Sequence, residues 1–501
     1  MGKHEFFDRM AQDFLGLTSD DVLLIPQRSD VVPATVSLKS YFSRRVPLNI
    51  PIVSAAMDTV TGRRMAIALA KQGGLGIIHR GFSPDDQALE VARVKFHMNG
   101  CIRKPITVRD TNTIKQILAH RDDKGYGFHT FPVLDASDKL VGVLTHNDFD
   151  LCDNHELLAR NVMSTGLVTA PENTSLARAH RMMQEHGKKV LPLVKDDGTL
   201  AGMYVFSDVQ RITSSNTSIC NVDEHGQLRV GIAVGVDNDA FQRLELCLPH
   251  GLDVAFIDTA HAHSGPVLRT LRAIKADSRY NGIDIVAGNI SQTDAALELI
   301  EAGADGVKVG QGPGSICTTR IVTGAGFPQL TAVYQCAVAA LEKNIPVCAD
   351  GGIRFSGDVA KALAAGASSV MLGSMLAGTT ESPGEIITLN GREYKAVRGM
   401  GSLGAMIALK SSLDRYRQDD KKFVPEGIEG MVPHSGLLSK MIDQLCGGIS
   451  SGMGYVGAES IQALWERGTF IRVTPAGVTE SHPHNVIITR EAPNYPSGGE
   501  S

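Results

Sequence analysis

Eight short apolar runs with polar or glycine ends recur along this chain, at 50–58, 74–79, 229–235, 254–260, 284–290, 306–312, 345–352 and 369–376. Between most of them lie Ala/Leu-rich stretches with helical spacing, such as 266–276, 291–302, 330–343 and 357–365. Strands buried on both faces read as continuous apolar runs. Eight of them alternating with helices predict an α/β chain folded as a closed (β/α)8 TIM barrel. An open doubly wound sheet would usually need fewer strands. In such a barrel the chemistry belongs at the C-terminal strand ends. There the chain gathers Met57-Asp58, Asp258-Thr-Ala-His261, Gly288-Asn289, the run 310–317, Asp350-Gly-Gly352 and Gly373-Ser374. That clustering points to an enzyme rather than a binding module.

The rhythm is interrupted once. Phe131-Pro-Val-Leu, followed by Leu140-Val-Gly142 and Asp148, recurs about sixty residues on as Leu191-Pro-Leu-Val, followed by Leu200-Ala-Gly202 and Asp208. Each copy reads as strand, polar turn and strand, preceded by a helical segment at 113–120 or 176–186. A unit of this length cannot bury its apolar face alone, so the two copies are expected to pack together. The expected layout is a catalytic barrel from 1–99 and 219–501 with an inserted domain at 100–218.

Charge and cysteine usage exclude several classes. Lys and Arg number 49 against 54 Asp and Glu, a formal charge of −5, which argues against a strongly basic nucleic-acid binder. No apolar run approaches the ~18 residues of a membrane span. Residues 1–13 are polar and carry no secretory core, and the final Gly-Gly-Glu-Ser matches no retention or lipidation signal. The eight cysteines form no CxxC pair and no metal-like Cys/His spacing. Reduced, mostly buried thiols in a cytoplasmic protein are therefore expected.

One cysteine reads differently. Cys317 lies in Gly310-Gln-Gly-Pro-Gly-Ser-Ile-Cys-Thr-Thr-Arg320, a tight loop after the sixth run. A thiol presented there, with hydroxyls at Ser315, Thr318 and Thr319, is placed for nucleophilic attack. The plainer reading is a phosphate-binding loop around a buried thiol. Asp350-Gly351-Gly352 and Gly373-Ser374 follow the seventh and eighth runs, where such barrels often bind phosphate. The Asp350 carboxylate suits a ribose diol better than a phosphate. The stretch 398–436 breaks the strand–helix rhythm and is expected to form a mobile lid carrying Arg415, Tyr416 and Glu426.

The motifs Gly-Pro-Gly-Ser-Ile-Cys-Thr-Thr-Arg (312–320), Ser54-Ala-Ala-Met-Asp-Thr-Val60, Arg398-Gly-Met-Gly-Ser402 and Pro425-Glu-Gly-Ile-Glu-Gly430 closely resemble the IMP dehydrogenase / GMP reductase family. The resemblance covers nearly the whole chain, and the insert resembles a pair of CBS (cystathionine-β-synthase) repeats. It implies oxidation of inosine 5′-monophosphate (IMP) to xanthosine 5′-monophosphate with NAD, through a covalent adduct on Cys317 that is then hydrolysed. It also implies that Ser315, Asp350, Gly351, Gly352, Gly373 and Ser374 hold ribose and phosphate. Gly399, Met400 and Gly401 would line the base, with Glu426 reaching it from the lid. Asp258, Asn289, Gly310, Gln311 and Gly312 would contact NAD. Carbonyls of Gly312, Gly314 and Cys317 would hold potassium, completed by Glu480, Ser481 and His482 from a neighbouring subunit. That sharing implies a homotetramer, which could pair into an octamer. Arg415 and Tyr416, with Thr319 and Glu426, would activate the hydrolytic water. Purine nucleotides would regulate the insert through Thr145, Asp148 and Asp208, although Val205 stands in the second copy where the first has Thr145. A purely structural insert is the other reading.

The reductase branch shares Cys317, Thr319 and the phosphate loops, but it consumes GMP and NADPH, releases ammonia and generally lacks an Arg-Tyr lid pair. Arg415-Tyr416 therefore favours the dehydrogenase. Three details depart from that pattern. The segment 323–330 is phrased like the reductase, Gln311 stands where an aliphatic residue is usual, and Val397 replaces a tyrosine that usually helps bind phosphate. A nucleotide sensor on an inactive barrel is the third alternative, against which Cys317, Thr319 and Arg415-Tyr416 stand.

Overall fold

The computed structural model describes the chain apart from residues 1, 14, 98–100, 103–104, 124–127, 215–218, 419–422 and 496–501. Eight parallel strands close into a barrel in chain order: β1 (Ile52–Ser54), β2 (Leu75–Ile78), β3 (Val230–Val234), β4 (Val254–Asp258), β5 (Asp284–Ile290), β6 (Gly306–Val309), β7 (Val347–Asp350) and β8 (Ser369–Leu372). β8 pairs with β1, and β2 pairs with β3 across the insertion. Every expected run became a strand, mostly shorter than the run, because the polar ends leave the sheet as loops. At the end of β6 the reason is steric. Gly310 has φ 151°, and a side chain there would collide with the carbonyl oxygen of Asp350.

The strands are buried on both faces; every residue of β3 and β4 is buried. A hairpin of Ser40–Ser43 and Val46–Leu48 plugs the N-terminal end, where Arg44 N–H donates to the Asp305 carbonyl and Arg45 N–H to the Asp284 carboxylate. Its Phe42, Val46 and Leu48 share one core with Leu75, Val254, Phe256 and Val286. Each such side chain contributes about 1.5–3 kcal/mol on burial. With that end filled, the open space lies at the C-terminal end.

Contacts divide the chain into two units: Met1–His97 with Ile219–Asp223 and Leu228–Ser501, and Met98–Ser218 with Glu224–Gln227. The expected boundary residues 99, 100 and 218 lie outside the described residues. In the second unit the two copies have the same plan. Phe131–Leu134 pairs antiparallel with Leu140–Leu144, as Val190–Val194 does with Leu200–Val205. Helices Ile114–Asp123 and Leu176–Glu185 precede them, and each copy has its own core. The copies also meet: Leu140 N–H donates to the Gly198 carbonyl at 3.2 Å.

The stretch 398–436 is more regular than its sequence suggests. Antiparallel strands β9 (Ile386–Leu389), β10 (Arg392–Arg398) and β11 (Glu429–Pro433) form a sheet, with helices Leu403–Ala408 and Lys410–Tyr416 between β10 and β11. These helices of six and seven residues are too short to print a helical period. The start of the first is set by Ser402, whose hydroxyl caps the Ala405 N–H at 3.2 Å. No helix among the described residues is long and apolar enough to cross a membrane.

Candidate active site

The barrel mouth opens into two adjoining lobes of about 460 and 360 Å³. The first is lined by Asp258, Asn289, Gly310, Gln311, Gly312, Cys317, Thr319, Gly399, Met400, Gly401, Arg415, Tyr416 and Glu426. The second is lined by Ser315, Gly352, Gly373 and Ser374, together with Thr18, Ser19 and Asp20, and both lobes share Gly314, Asp350 and Gly351. The barrel residues to which the resemblance assigns catalytic, substrate or cofactor roles thus converge on one place, while Asp58, Gly288 and Thr318 lie outside both linings. Glu480, Ser481 and His482 do not line it; they end an exposed helix, Pro475–Ser481, and His482 lies against Phe355. Val397 is buried in β10 opposite Gly430 and also stays off the cavity wall.

Cys317 is half-buried and its Sγ lies 3.1 Å from Thr319 Oγ1. Its loop is held from both sides. Arg320 Nε donates to the Gln311 carbonyl at 3.0 Å and Nη2 to the Phe327 carbonyl at 2.5 Å. On the lid side, Thr318 N–H donates to the Glu426 carbonyl and Ile428 N–H to the Ile316 carbonyl, so 316–318 and 426–428 run as a short antiparallel ladder through Cys317 and Gly427. The remaining cysteines behave as packing residues where their surroundings are resolved: burial pushes the thiols of Cys247, Cys336, Cys348 and Cys446 up to about 12.

Beneath the thiol loop, sequence reasoning missed a buried cation. Lys308, at the centre of β6, pairs with Asp350 Oδ2 and sits 4.7 Å from the Phe256 ring centroid. Asn289 Nδ2 donates to the same oxygen at 2.9 Å. Asp350 is thereby fixed through one of its two oxygens. Asn289 Oδ1 is buried with no partner, an acceptor aimed at no protein donor. Gln329 Nε2 braces the same corner, donating to the carbonyls of Val309 and Asp350 at 2.9 and 3.1 Å. The signal for Lys308 was present: a lone charge inside Gly306-Val-Lys-Val309.

The segment expected to form the lid packs over the first lobe. Arg415 Nη1 is ion-paired with Asp258 Oδ2, and the Arg415 carbonyl accepts from Ala260 N–H at 3.1 Å. Tyr416 lies so close to Gly401 that a side chain at 401 would meet its ring. Burial alone would lower the Arg415 pKa, but the Asp258 carboxylate and the Tyr416 hydroxyl outweigh it and raise it; burial pushes Tyr416 up to about 12. The docked pair is therefore a fixed guanidinium beside a neutral phenol. Arg80, buried more deeply than Arg415, stands 3.7 Å from Asp239, and its Nη1 makes no hydrogen bond. At the foot of the lid, Arg398 Nε holds Asp58 Oδ2 at 2.8 Å.

The family pattern of the IMP dehydrogenase / GMP reductase domain matches residues 16–484. The chain is 50% identical over 484 residues to inosine-5′-monophosphate dehydrogenase of Aquifex aeolicus, spanning 96% of this chain and 97% of that one. It is 47% identical over 485 residues to the enzyme of the same name from Staphylococcus aureus, at 96% and 98% coverage. Among solved structures, a cysteine-to-alanine variant of GMP reductase from Trypanosoma brucei in complex with guanosine 5′-monophosphate superposes with a TM-score of 0.83. It shares 39% identity over 94% of this chain and 98% of that one. By the family pattern over most of its length and by its near-full-length relatives, the chain belongs to the IMP dehydrogenase / GMP reductase family.

Proposed function

We propose that this chain is an NAD-dependent IMP dehydrogenase, converting IMP, NAD and water to xanthosine 5′-monophosphate, NADH and a proton. The observation that carries this reading is the docked lid. A guanidinium and a phenol brought onto the thiol-bearing lobe suit a hydrolytic second step. The near-full-length dehydrogenase relatives support it.

Cys317 sulfur attacks C2 of the hypoxanthine, and loss of hydride from C2 leaves a thioimidate on sulfur. NAD, when bound, supplies the acceptor for that hydride. Water then adds to C2, the C–S bond breaks and the thiol is restored. Asp350 accepts ribose hydroxyls through its free oxygen, while Ser315, Gly351, Gly352, Gly373 and Ser374 supply the wall for the phosphate. Gly399, Met400 and Gly401 flank the base, with Glu426 beside them. The chain fits NAD at Asn289, whose unpartnered Oδ1 suits a carboxamide donor, and at Asp258, whose carboxylate suits a ribose diol. Gly310, Gln311 and Gly312 complete that wall. Asp258 cannot serve a diol and Arg415 together, so cofactor departure and lid docking alternate. Water activation belongs to the group formed by Arg415, Tyr416, Thr319 and Glu426, since the docked guanidinium stays charged.

Backbone carbonyls at Gly312, Gly314 and Cys317 are hard oxygen donors of the kind potassium takes. The Gly314 carbonyl also accepts from Cys317 N–H and retains a second lone pair. Glu480, Ser481 and His482 of a neighbouring subunit would complete the shell in a tetramer. The inserted repeats read as a CBS pair that takes purine nucleotides at Thr145, Asp148 and Asp208. Thr145 and Asp148 already bond each other at 2.7 Å, which sets the helix start they share. The cytoplasm is the compartment where such a nucleotide enzyme with free thiols would work.

The reductase reading draws on the Trypanosoma brucei structure and on the phrasing of 323–330. Paired assays in potassium buffer decide between them. NADH formation from IMP and NAD, with no NADPH loss on GMP, is expected; the reverse pattern would reassign the chain to the reductase branch.

A further inference from the structure

We infer that Gln311 is a positioning residue that holds the lid's landing platform in place and so sets how readily the lid docks. Its carboxamide joins three segments at the mouth of the barrel. Oε1 accepts from Ser291 Oγ at 2.5 Å, just past β5. Nε2 donates to the Ala260 carbonyl at 3.3 Å and meets His261 Nδ1 at 3.0 Å, both just past β4. The chemistry fixes the orientation. A carbonyl can only accept, so the amide nitrogen must face Ala260; the Ser291 hydroxyl must then donate to Oε1, and His261 must accept at Nδ1. Three different partners therefore agree on one rotamer.

That brace supports the segment on which the lid lands. Residues 258–260 receive Arg415 twice: Asp258 pairs with its guanidinium, and Ala260 N–H donates to its carbonyl. The same Ala260 peptide segment thus holds the lid through its N–H and the cysteine loop through its carbonyl. Arg320 Nε ties the Gln311 backbone carbonyl back to the loop at 3.0 Å, so the brace has a firm origin. An aliphatic side chain at 311 would fill the space and leave the Ala260 carbonyl and the Ser291 hydroxyl unpaired. The platform would then be free to shift, and the docked lid would lose ground to the open state. This role rests on the hydrolytic reading of the lid, because it is the second half-reaction that needs docking.

The test is Gln311→Leu in the full-length chain, followed in two ways. Rapid mixing with IMP and NAD gives the rate of the first NADH turnover, and acid quenching with labelled IMP gives the fraction of protein carrying a covalent adduct. The expected result, whatever the substitution costs at the NAD wall, is a steady-state rate that falls about tenfold further than the first turnover does, with a larger adduct fraction; a tenfold difference corresponds to about 1.4 kcal/mol, within the cost of one lost part-buried hydrogen bond. Adding Gln311→Leu to Arg415→Ala should cost nothing further, since both act on the same docking event. An equal fall in both steps, an unchanged steady-state rate, or full additivity with Arg415→Ala would overturn the inference. Absence of both a burst and an adduct in the parent protein would instead overturn the dehydrogenase reading itself.

Discussion

A lysine inside a barrel strand is costly unless its charge is matched, and Lys308 is matched by Asp350. Lys308→Met should leave Asp350 held by Asn289 alone and free to swing, and it should weaken IMP binding by about 10- to 100-fold, the range of a lost charged hydrogen bond. The KM for IMP should rise more than kcat falls; an equal loss in both would mean that Lys308 serves the chemical step. A second buried group makes a pH prediction. His79, stacked on Phe82 at 4.3 Å, accepts the Gly81 N–H at Nδ1. Burial lowers its pKa to about 4, with Asp58 and Glu90 opposing and Arg243 and Arg398 assisting. The unfolded chain takes up that proton near 6.5 and the folded chain only near 4. The stabilisation is therefore complete above pH 6.5 and lost as pH falls toward 4, by up to about 3 kcal/mol. The urea midpoint of His79→Gln should fall less than the parent's between about pH 7 and about pH 4.5; parallel slopes would discard the assignment. Neither residue was singled out from the sequence, although the lone charge of Lys308 was visible there. Lys308 is one charge in an apolar strand and His79 one imidazole at a strand end, and only the fold reveals which groups face them.

Elements were legible in proportion to their length and regularity. The eight barrel strands could be read because burial on both faces writes an unbroken apolar run, and the inserted repeats because Pro, Gly and Asp recur in register. The lid was legible as a break in rhythm but not as structure. Its two helices span only 403–408 and 410–416, and β11 pairs with a strand more than thirty residues earlier, β10, which no local pattern announces. What the sequence did offer was the Arg415-Tyr416 pair, and the structure gives it a mechanical meaning: one residue lands twice on 258–260 and the next seats against Gly401. Arg415→Ala should keep the NADH burst while slowing steady-state turnover by about 10²- to 10⁴-fold, the usual scale for losing a group that handles a proton in the transition state. Covalent adduct should accumulate. Loss of the burst as well would show that the lid also shapes the first step. Because burial holds Tyr416 near 12, a rise of steady-state rate below about pH 10 cannot come from Tyr416 ionising in the docked state.

At the scale of the whole chain, the barrel closes around the point where the insert departs and returns. β2 precedes the insert and β3 follows it, yet the two pair directly, Val230 with Gly76 through Ile232 with Ile78. The departing and returning segments are also fastened to each other: Lys95, fully buried, bonds Asp223 at 2.9 Å and Asp253 at 2.6 Å. Asp253 in turn accepts from Arg229 and from the Val230 N–H that opens β3. The barrel therefore holds both ends of the interruption within its own hydrogen bonds, which is the condition for an insertion to be removable. Joining residue 97 to residue 219 through a short Gly/Ser linker should yield a folded barrel that forms NADH from IMP at a rate comparable with the full chain. Purine nucleotides at millimolar concentration should change the rate of the full chain and leave the shortened one unaffected. If the shortened chain fails to fold, the Lys95 cluster is not sufficient to close the barrel. If both chains respond alike, the nucleotide acts at the catalytic cavity, and the insert's Thr145 and Asp148 serve only to start a helix.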